Sequence, residues 1–209
     1  MKKTVAALLK KYRIRPNKKL GQNFLSDPNL IHKIVDALEL YPDEDILEIG
    51  SGLGVLSSEL GKQALEVISV EKDKRLFDIA EEEFGEKKNI KFLHADFLDL
   101  KLSSLLANHH LPMKVIGNIP YNISSKILFK LLEDHSLFQF AVLTLQKEVA
   151  HRLIADVGTK DYGILTIMMS IHSQCKKLFD IEPGSFIPPP QVTSTVIKIE
   201  FLKQPNSSF

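Results

Sequence analysis

Asp45-Ile46-Leu47-Glu48-Ile49-Gly50-Ser51-Gly52-Leu53-Gly54-Val55 is the stretch on which the fold turns. Residues 45–49 are an apolar run of strand propensity, and a helical pattern opens at Val55 and runs to Leu60. The glycines between them let the backbone take positive φ and approach a ligand closely. Strand, glycine-rich turn and helix in that order open a nucleotide-binding α/β domain. The same alternation recurs downstream. Residues 65–70 read as a strand ending at Glu71, residues 90–94 as one leading to Asp96, and residues 114–117 as one ending at Asn118. Strands and helices alternating to about residue 155 predict a doubly wound sheet. The glycines, Glu71, Asp96 and Asn118 would then stand at the carboxyl ends of successive strands, where open α/β sheets bind ligands.

The glycine spacing narrows the ligand. It is G-x-G-x-G followed by Val55, whereas the dinucleotide fingerprint is G-x-G-x-x-G with a helix N-terminus on a pyrophosphate. Glu48 stands just before the glycines, where a carboxylate disfavours a phosphate and suits a cationic amino-acid ligand. S-adenosylmethionine carries an ammonium and a sulfonium and no phosphate, so it fits better than NAD. Glu71 lies about twenty residues past the glycines, where an acid can accept hydrogen bonds from both ribose hydroxyls. It also reads as a solvated charge in Glu71-Lys72-Asp73-Lys74. Asp96 can receive an adenine amine, or can cap a short helical turn.

Asn118-Ile119-Pro120-Tyr121 supplies a second half-reaction. The Asn118 side-chain oxygen can accept one hydrogen of a planar exocyclic amine, and the Pro120 carbonyl the other. Two acceptors aimed at those hydrogens favour a pyramidal nitrogen with a localised lone pair. Tyr121 offers a face on which an extruded base can stack. An isolated N-x-P-Y also reads as a strand-ending turn with a half-buried Tyr.

Farther out, residues 27–39 carry a helix signal with Asp27 as N-cap and Pro28 at the first position. Residues 124–132 read as a helix, 140–145 as a strand, 146–153 as a helix, and 162–171 as a helix initiated by Asp161. Residues 176–181 and 195–201 form a closing hairpin-like pair. The proline-rich segment 183–192 between them is expected to wall the site and to present Phe186 toward its mouth.

A length of 209 residues suits one domain with at most a small appendage, able to bury roughly 70% of its unfolded surface. A hydrophobic content of 44% and a charged content of 25% are those of a soluble globular chain. No apolar run approaches the roughly 18 residues of a membrane span, and no secretory signal opens the chain. The lone Cys175 excludes internal disulfides and Cys-rich zinc sites and fits a reducing, cytoplasmic setting. The histidines lack ligand spacing, so no metal is expected. A net charge of +1 conceals an asymmetry: residues 1–26 hold eight Lys or Arg and no Asp or Glu. That block reads as a nucleic-acid-binding arm or as a solvated tail.

Four segments in sequence order carry a resemblance: Gln22-Asn23-Phe24-Leu25, residues 48–54, Gly117-Asn118-Ile119-Pro120-Tyr121-Asn122-Ile123-Ser124, and residues 186–194. From about residue 13 to 201 the chain resembles the ribosomal RNA adenine N6,N6-dimethyltransferases. Leu145-Gln146-Lys147-Glu148-Val149 and Tyr162-Gly163-Ile164-Leu165 are most similar to the bacterial small-subunit (16S) branch. Ser51 departs from the Pro frequent there. The resemblance implies a Rossmann-like class I S-adenosylmethionine-dependent methyltransferase with a seven-stranded sheet, the last strand antiparallel. It implies that Asn23 and Leu25 close over the cofactor, Gly50 lies against its methionine portion, Glu71 takes the ribose and Asp96 the adenine amine. Asn118 would touch cofactor and target amine, with Pro120 and Tyr121 completing the catalytic set and Tyr121 and Phe186 stacking on the flipped adenine. Lys10, Lys11, Arg13, Lys18 and Lys19 would meet RNA phosphates. The implied reaction places methyl groups on two adjacent adenosines near the 3′ end of small-subunit RNA, leaving S-adenosylhomocysteine. The partner would be a small-subunit assembly intermediate, the enzyme a monomer, and no membrane would be involved. The expected division is a basic arm with the cofactor-closing motif at 1–26, a catalytic domain at 27–203 and a tail at 204–209, without the family's C-terminal helical domain. Two rivals stand beside this: a large-subunit (23S) enzyme conferring antibiotic resistance, and a non-catalytic RNA-binding assembly or transcription factor on the same fold.

Overall fold

The computed structural model describes residues 3–204, and all of their side chains except that of Lys18. Lys2 of the basic arm and most of the tail, residues 205–209, lie outside the described residues. The chain runs α1 (Val5–Lys11), β1 (Phe24–Leu25), α2 (Pro28–Asp36), β2 (Asp45–Ile49), α3 (Val55–Leu60), β3 (Glu66–Glu71), α4 (Lys74–Phe84), β4 (Ile90–His94), α5 (Leu102–Leu105) and β5 (Met113–Asn118). It continues through α6 (Ser124–Glu133), β6 (Phe138–Gln146), α7 (Lys147–Leu153), α8 (Ile164–His172), β7 (Ser173–Ile181), β8 (Phe186–Ile187) and β9 (Ser194–Phe201).

Seven strands form one sheet in the order β4-β3-β2-β5-β6-β9-β7, and β1 pairs with β8 in a separate two-stranded ribbon. The strands from β4 to β6 are parallel, while β9 runs antiparallel to both β6 and β7. The last strand is thus the antiparallel one, as the resemblance implies. From β2 the chain steps outward to β3 and β4, then crosses back to β5 on the other side of β2. That reversal opens a crevice at the carboxyl ends of β2 and β5.

Strand alternation explains the two cores. Ile46, Val67, Ile116 and Val142 face a layer made by α1 to α4, whose contributions include Leu8, Ile34, Leu60 and Ile79. Their neighbours Leu47, Ile68, Val115 and Leu143 face the opposite layer, with Leu102, Leu128, Leu153 and Met169 of α5 to α8. All five residues of β2 are buried, as a central parallel strand covered on both faces must be.

Several expectations shift. Asp27 and Pro28 do start a helix, the Asp27 carboxylate accepting the Asn29 N–H at 2.9 Å, but it ends at Asp36. Asp161 does not initiate α8. Gly163 does, its N–H donated to the Thr166 hydroxyl at 3.2 Å. The basic arm is neither wholly extended nor wholly solvated. Thr4 caps α1 by accepting the Ala7 N–H at 3.3 Å, and Val5 and Leu8 are buried. The periodic apolar stripe outweighs the mutual repulsion of its lysines because Glu83 and Glu82 of α4 face them.

Candidate active site

The carboxyl ends of the parallel strands enclose a cavity of about 350 Å³. Its wall includes Asn23, Gly50, Glu71, Asp96, Asn118, Pro120 and Tyr121. Seven positions singled out in the sequence, scattered over a hundred residues, therefore share one space.

The floor is the glycine turn after β2. Gly50, Gly52 and Gly54 take φ of 79°, 56° and 75°, a region that costs other residues strain. A Cβ at Gly54 would lie 2.8 Å from the Phe84 ring, so close packing of α3 on α4 also requires glycine there. Gly50 donates its N–H to the Val70 carbonyl at 2.8 Å, which ties the turn to β3.

Glu71 ends β3 with its carboxylate fixed on both oxygens. Oε2 accepts the Gly52 N–H at 2.8 Å and Oε1 the Asp73 N–H at 2.7 Å. Burial pushes its pKa up, while the N–H groups of Asp73 and Gly52 pull it down. Each oxygen retains a lone pair toward the cavity it lines. Asp96 does both things the sequence allowed. It caps a short 3₁₀ turn by accepting the Leu98 N–H at 3.0 Å, and it lines the cavity. Burial raises its pKa, but the ion pair with Lys72 and the Leu98 N–H more than offset this and hold the carboxyl below its usual range.

Asn118 ends β5, and its Nδ2 donates to the Asn23 carbonyl at 2.8 Å. A carbonyl can only accept, so the amide orientation is fixed. Oδ1 makes no hydrogen bond among the described residues. Pro120 has φ −57°, and its carbonyl accepts the Ile123 N–H at 3.2 Å, leaving one lone pair. Tyr121 is half-buried, with its hydroxyl 2.6 Å from Ser194 Oγ. Burial raises its pKa against the opposing effect of that bond.

A strap from Asn17 to Asn23 crosses the cavity and is pinned at both rims. Gln22 Nε2 donates to Asp73 Oδ2 at 2.9 Å, its Oε1 accepts the Asn17 N–H at 2.7 Å, and Asn122 Nδ2 reaches the Lys19 carbonyl at 3.3 Å. Gln22, Asp73, Asn122 and Ser194 carry no functional signal of their own in the sequence, although Gln22, Asn122 and Ser194 lie inside the segments that carry the resemblance. Their role depends on contacts between distant parts of the chain, which local spacing does not reveal.

One expected position is corrected. Phe186 does not face the cavity. It pairs with Leu25 across the β1–β8 ribbon and is 2% exposed, inside the core layer. An aromatic between two apolar surfaces gains more from burial than from standing at a wet rim, so no face is open for a base. Leu25 is buried and lines a small recess beside the cavity, together with Gly50, Gly52 and Asn118. Lys11 is exposed and pairs with Glu83, which also accepts from the Tyr12 hydroxyl; these two hydrogen bonds hold the Glu83 carboxyl down to about 2. Lys10, Arg13 and Lys19 are exposed, and Lys19 sits at the cavity wall. The Lys18 side chain lies outside the described residues.

Glu48 is fully buried behind the glycine turn. Its Oε2 accepts from the hydroxyls of Ser57 and Ser69, and Oε1 has no partner among the described residues. Burial pushes its pKa up to about 7 against those two hydrogen bonds. It lines a small recess adjoining the cavity rather than the cavity itself, so it disfavours a phosphate through its field and not by contact. Among the described residues no group of three His, Cys, Asp or Glu is placed to hold a metal ion, and no helix is long and apolar enough to cross a membrane.

Known proteins resemble this chain in sequence and in fold. The model of the family described as ribosomal RNA adenine dimethylase matches residues 13–208. The ribosomal RNA small subunit methyltransferase A of Syntrophus aciditrophicus is 42% identical over 202 residues, covering 96% of this chain and 72% of that protein. A dimethyladenosine transferase from Plasmodium falciparum superposes with a TM-score of 0.74 at 31% identity, covering 88% of this chain and 64% of the other. The 23S rRNA methyltransferase ErmE gives the same TM-score and identity, over 88% of this chain and 71% of its own.

Proposed function

Because the chain belongs to the ribosomal RNA adenine dimethylase family, we propose that it transfers methyl groups from S-adenosylmethionine to N6 of two adjacent adenosines near the 3′ end of small-subunit ribosomal RNA. The product is N6,N6-dimethyladenosine, made during ribosome biogenesis on a small-subunit assembly intermediate, by a cytoplasmic monomer. The observation that carries this reading is the oriented Asn118 amide. Its oxygen has no partner among the described residues, and Asn118 stands beside the glycine turn on the wall of the cavity that Tyr121 and Glu71 also line.

The cavity residues fit the cofactor. Positive-φ glycines leave a cradle that a Cβ would narrow, and the fixed Glu71 carboxylate keeps acceptor capacity for two ribose hydroxyls. Asn23 would cover the methionine end through the strap, and Asp96 would take the adenine amine in exchange for Lys72. Bound there, the cofactor supplies a methyl group on a positively charged sulfur. Asn118 Oδ1 accepts one N6 hydrogen of the target base, and the remaining lone pair of Pro120 O accepts the other. The N6 lone pair is thereby localised and aimed along the line of displacement. Tyr121 holds the base by stacking. Neither acceptor is basic, so the proton released as the N–C bond forms leaves to water. An N6 bearing one methyl still offers one hydrogen, which Asn118 can hold for a second transfer.

The test is incubation with labelled cofactor and unmethylated small or large subunits, followed by mapping of the modified nucleotide. Label at paired adenosines of the small subunit is expected. Label confined to the large subunit, or none with either, would overturn the reading.

A further inference from the structure

Ser194 is the first residue of β9, paired with Gln146 on one side and Ile181 on the other, and its side chain is 0% exposed. A hydroxyl at such a position is costly unless satisfied, and Val would suit a buried strand better. Its side-chain partner among the described residues is the Tyr121 hydroxyl at 2.6 Å. Tyr121 has no comparable anchor of its own element, since it opens a single 3₁₀ turn (Tyr121–Ile123) at the cavity wall. The bond joins residues 73 positions apart, from a turn to the start of a strand paired on both sides.

We infer that Ser194 is a positioning residue for the transfer reaction: it holds the Tyr121 ring in the orientation that presents its face to the target base. The inference rests on the methyl-transfer reading given above. The hydroxyl stands at the edge of the ring and Ser194 is fully buried, so Ser194 touches neither base nor cofactor. Its loss leaves the stacking face present but free to turn.

The test is a double-mutant cycle on unmethylated small subunits with labelled cofactor, comparing wild type, Ser194→Ala, Tyr121→Phe and the pair. Each single variant is expected to lower kcat by about three- to tenfold, the worth of one hydrogen bond. KM for the subunit and the affinity for S-adenosylhomocysteine should be unchanged. The double variant should be no slower than either single one. Tyr121→Phe removes the same bond without disturbing the buried strand, so it serves as the readout should Ser194→Ala fold poorly. Losses that multiply in the double variant would assign Ser194 a merely structural role and overturn the inference, as would full activity of Tyr121→Phe. A wild type that labels neither subunit would instead bring down the methyl-transfer reading, and this inference with it.

Discussion

At the scale of single residues, three side chains carry separable terms. Asn118 acts where charge develops, and loss of one preorganised partner costs about 10²–10³ in rate. Asn118→Ala is therefore expected to keep its fold and RNA affinity while labelled-methyl transfer collapses. Asn118→Asp, which still accepts a hydrogen bond, should retain part of the activity. Glu71→Ala should weaken S-adenosylhomocysteine binding by about 1.5–3 kcal/mol in titration calorimetry; unchanged affinity would mean the ribose site lies elsewhere. Glu48 bears on stability. Its folded pKa of about 7 lies above its ordinary 4.5. Between those values the folded chain keeps a proton that the unfolded chain has released, so this group's contribution falls as pH rises and its full cost is present above pH 7. Glu48→Gln should stabilise the fold relative to wild type at pH 8 by about 3 kcal/mol, read as a higher thermal midpoint, with no gain at pH 4.5. Glu71, Asp96 and Asn118 are legible in the sequence because each terminates an apolar run, and termination is local. The place of Phe186 is not, because its partner Leu25 is distant in sequence. The burial of Glu48 is illegible because Ser57 and Ser69, which shelter it, look like ordinary polar positions.

At the scale of elements, α1 departs most from what its composition indicates. The density of charge there masks the period beneath it. Thr4, Val5, Leu8 and Leu9 carry a cap and a helical stripe, and those are the signals that a helix lies within the basic block. The structure makes this helix part of the core layer against α2 and α4. Leu8→Ala should therefore cost about 2–5 kcal/mol in denaturant unfolding, an effect that a solvated arm could not show. Deletion of residues 1–19 would remove core packing together with cations, so a loss of RNA binding on deletion would not by itself identify a phosphate-binding residue. The parallel strands are legible almost to the residue, because continuous apolar runs bounded by glycine or acids leave little choice. The start of α8 is not, since Gly163 has no side chain to announce a cap and Thr166 supplies the bond from inside the helix.

At the scale of the whole molecule, a net charge of +1 gives little long-range attraction to a polyanion. RNA affinity then has to come from local clusters. Replacement of Lys10, Arg13 and Lys19 by Ala should flatten the dependence of log K on log salt by about 0.7–0.9 for each phosphate that is no longer neutralised; an unaltered slope would exclude these cations from the interface. The doubly wound class is legible from alternation, whereas the β1–β8 ribbon is not, because two-residue strands leave no periodic trace. The strand order has a consequence during synthesis. β9 lies between β6 and β7, yet of these three strands it is translated last. A nascent chain thus exposes the open edge of β6 and an unpartnered β7 until residues 194–201 leave the ribosome. For that interval the molecule is a sheet with a missing plank, and interrupted translation would leave a fragment prone to pair with other chains instead of with itself.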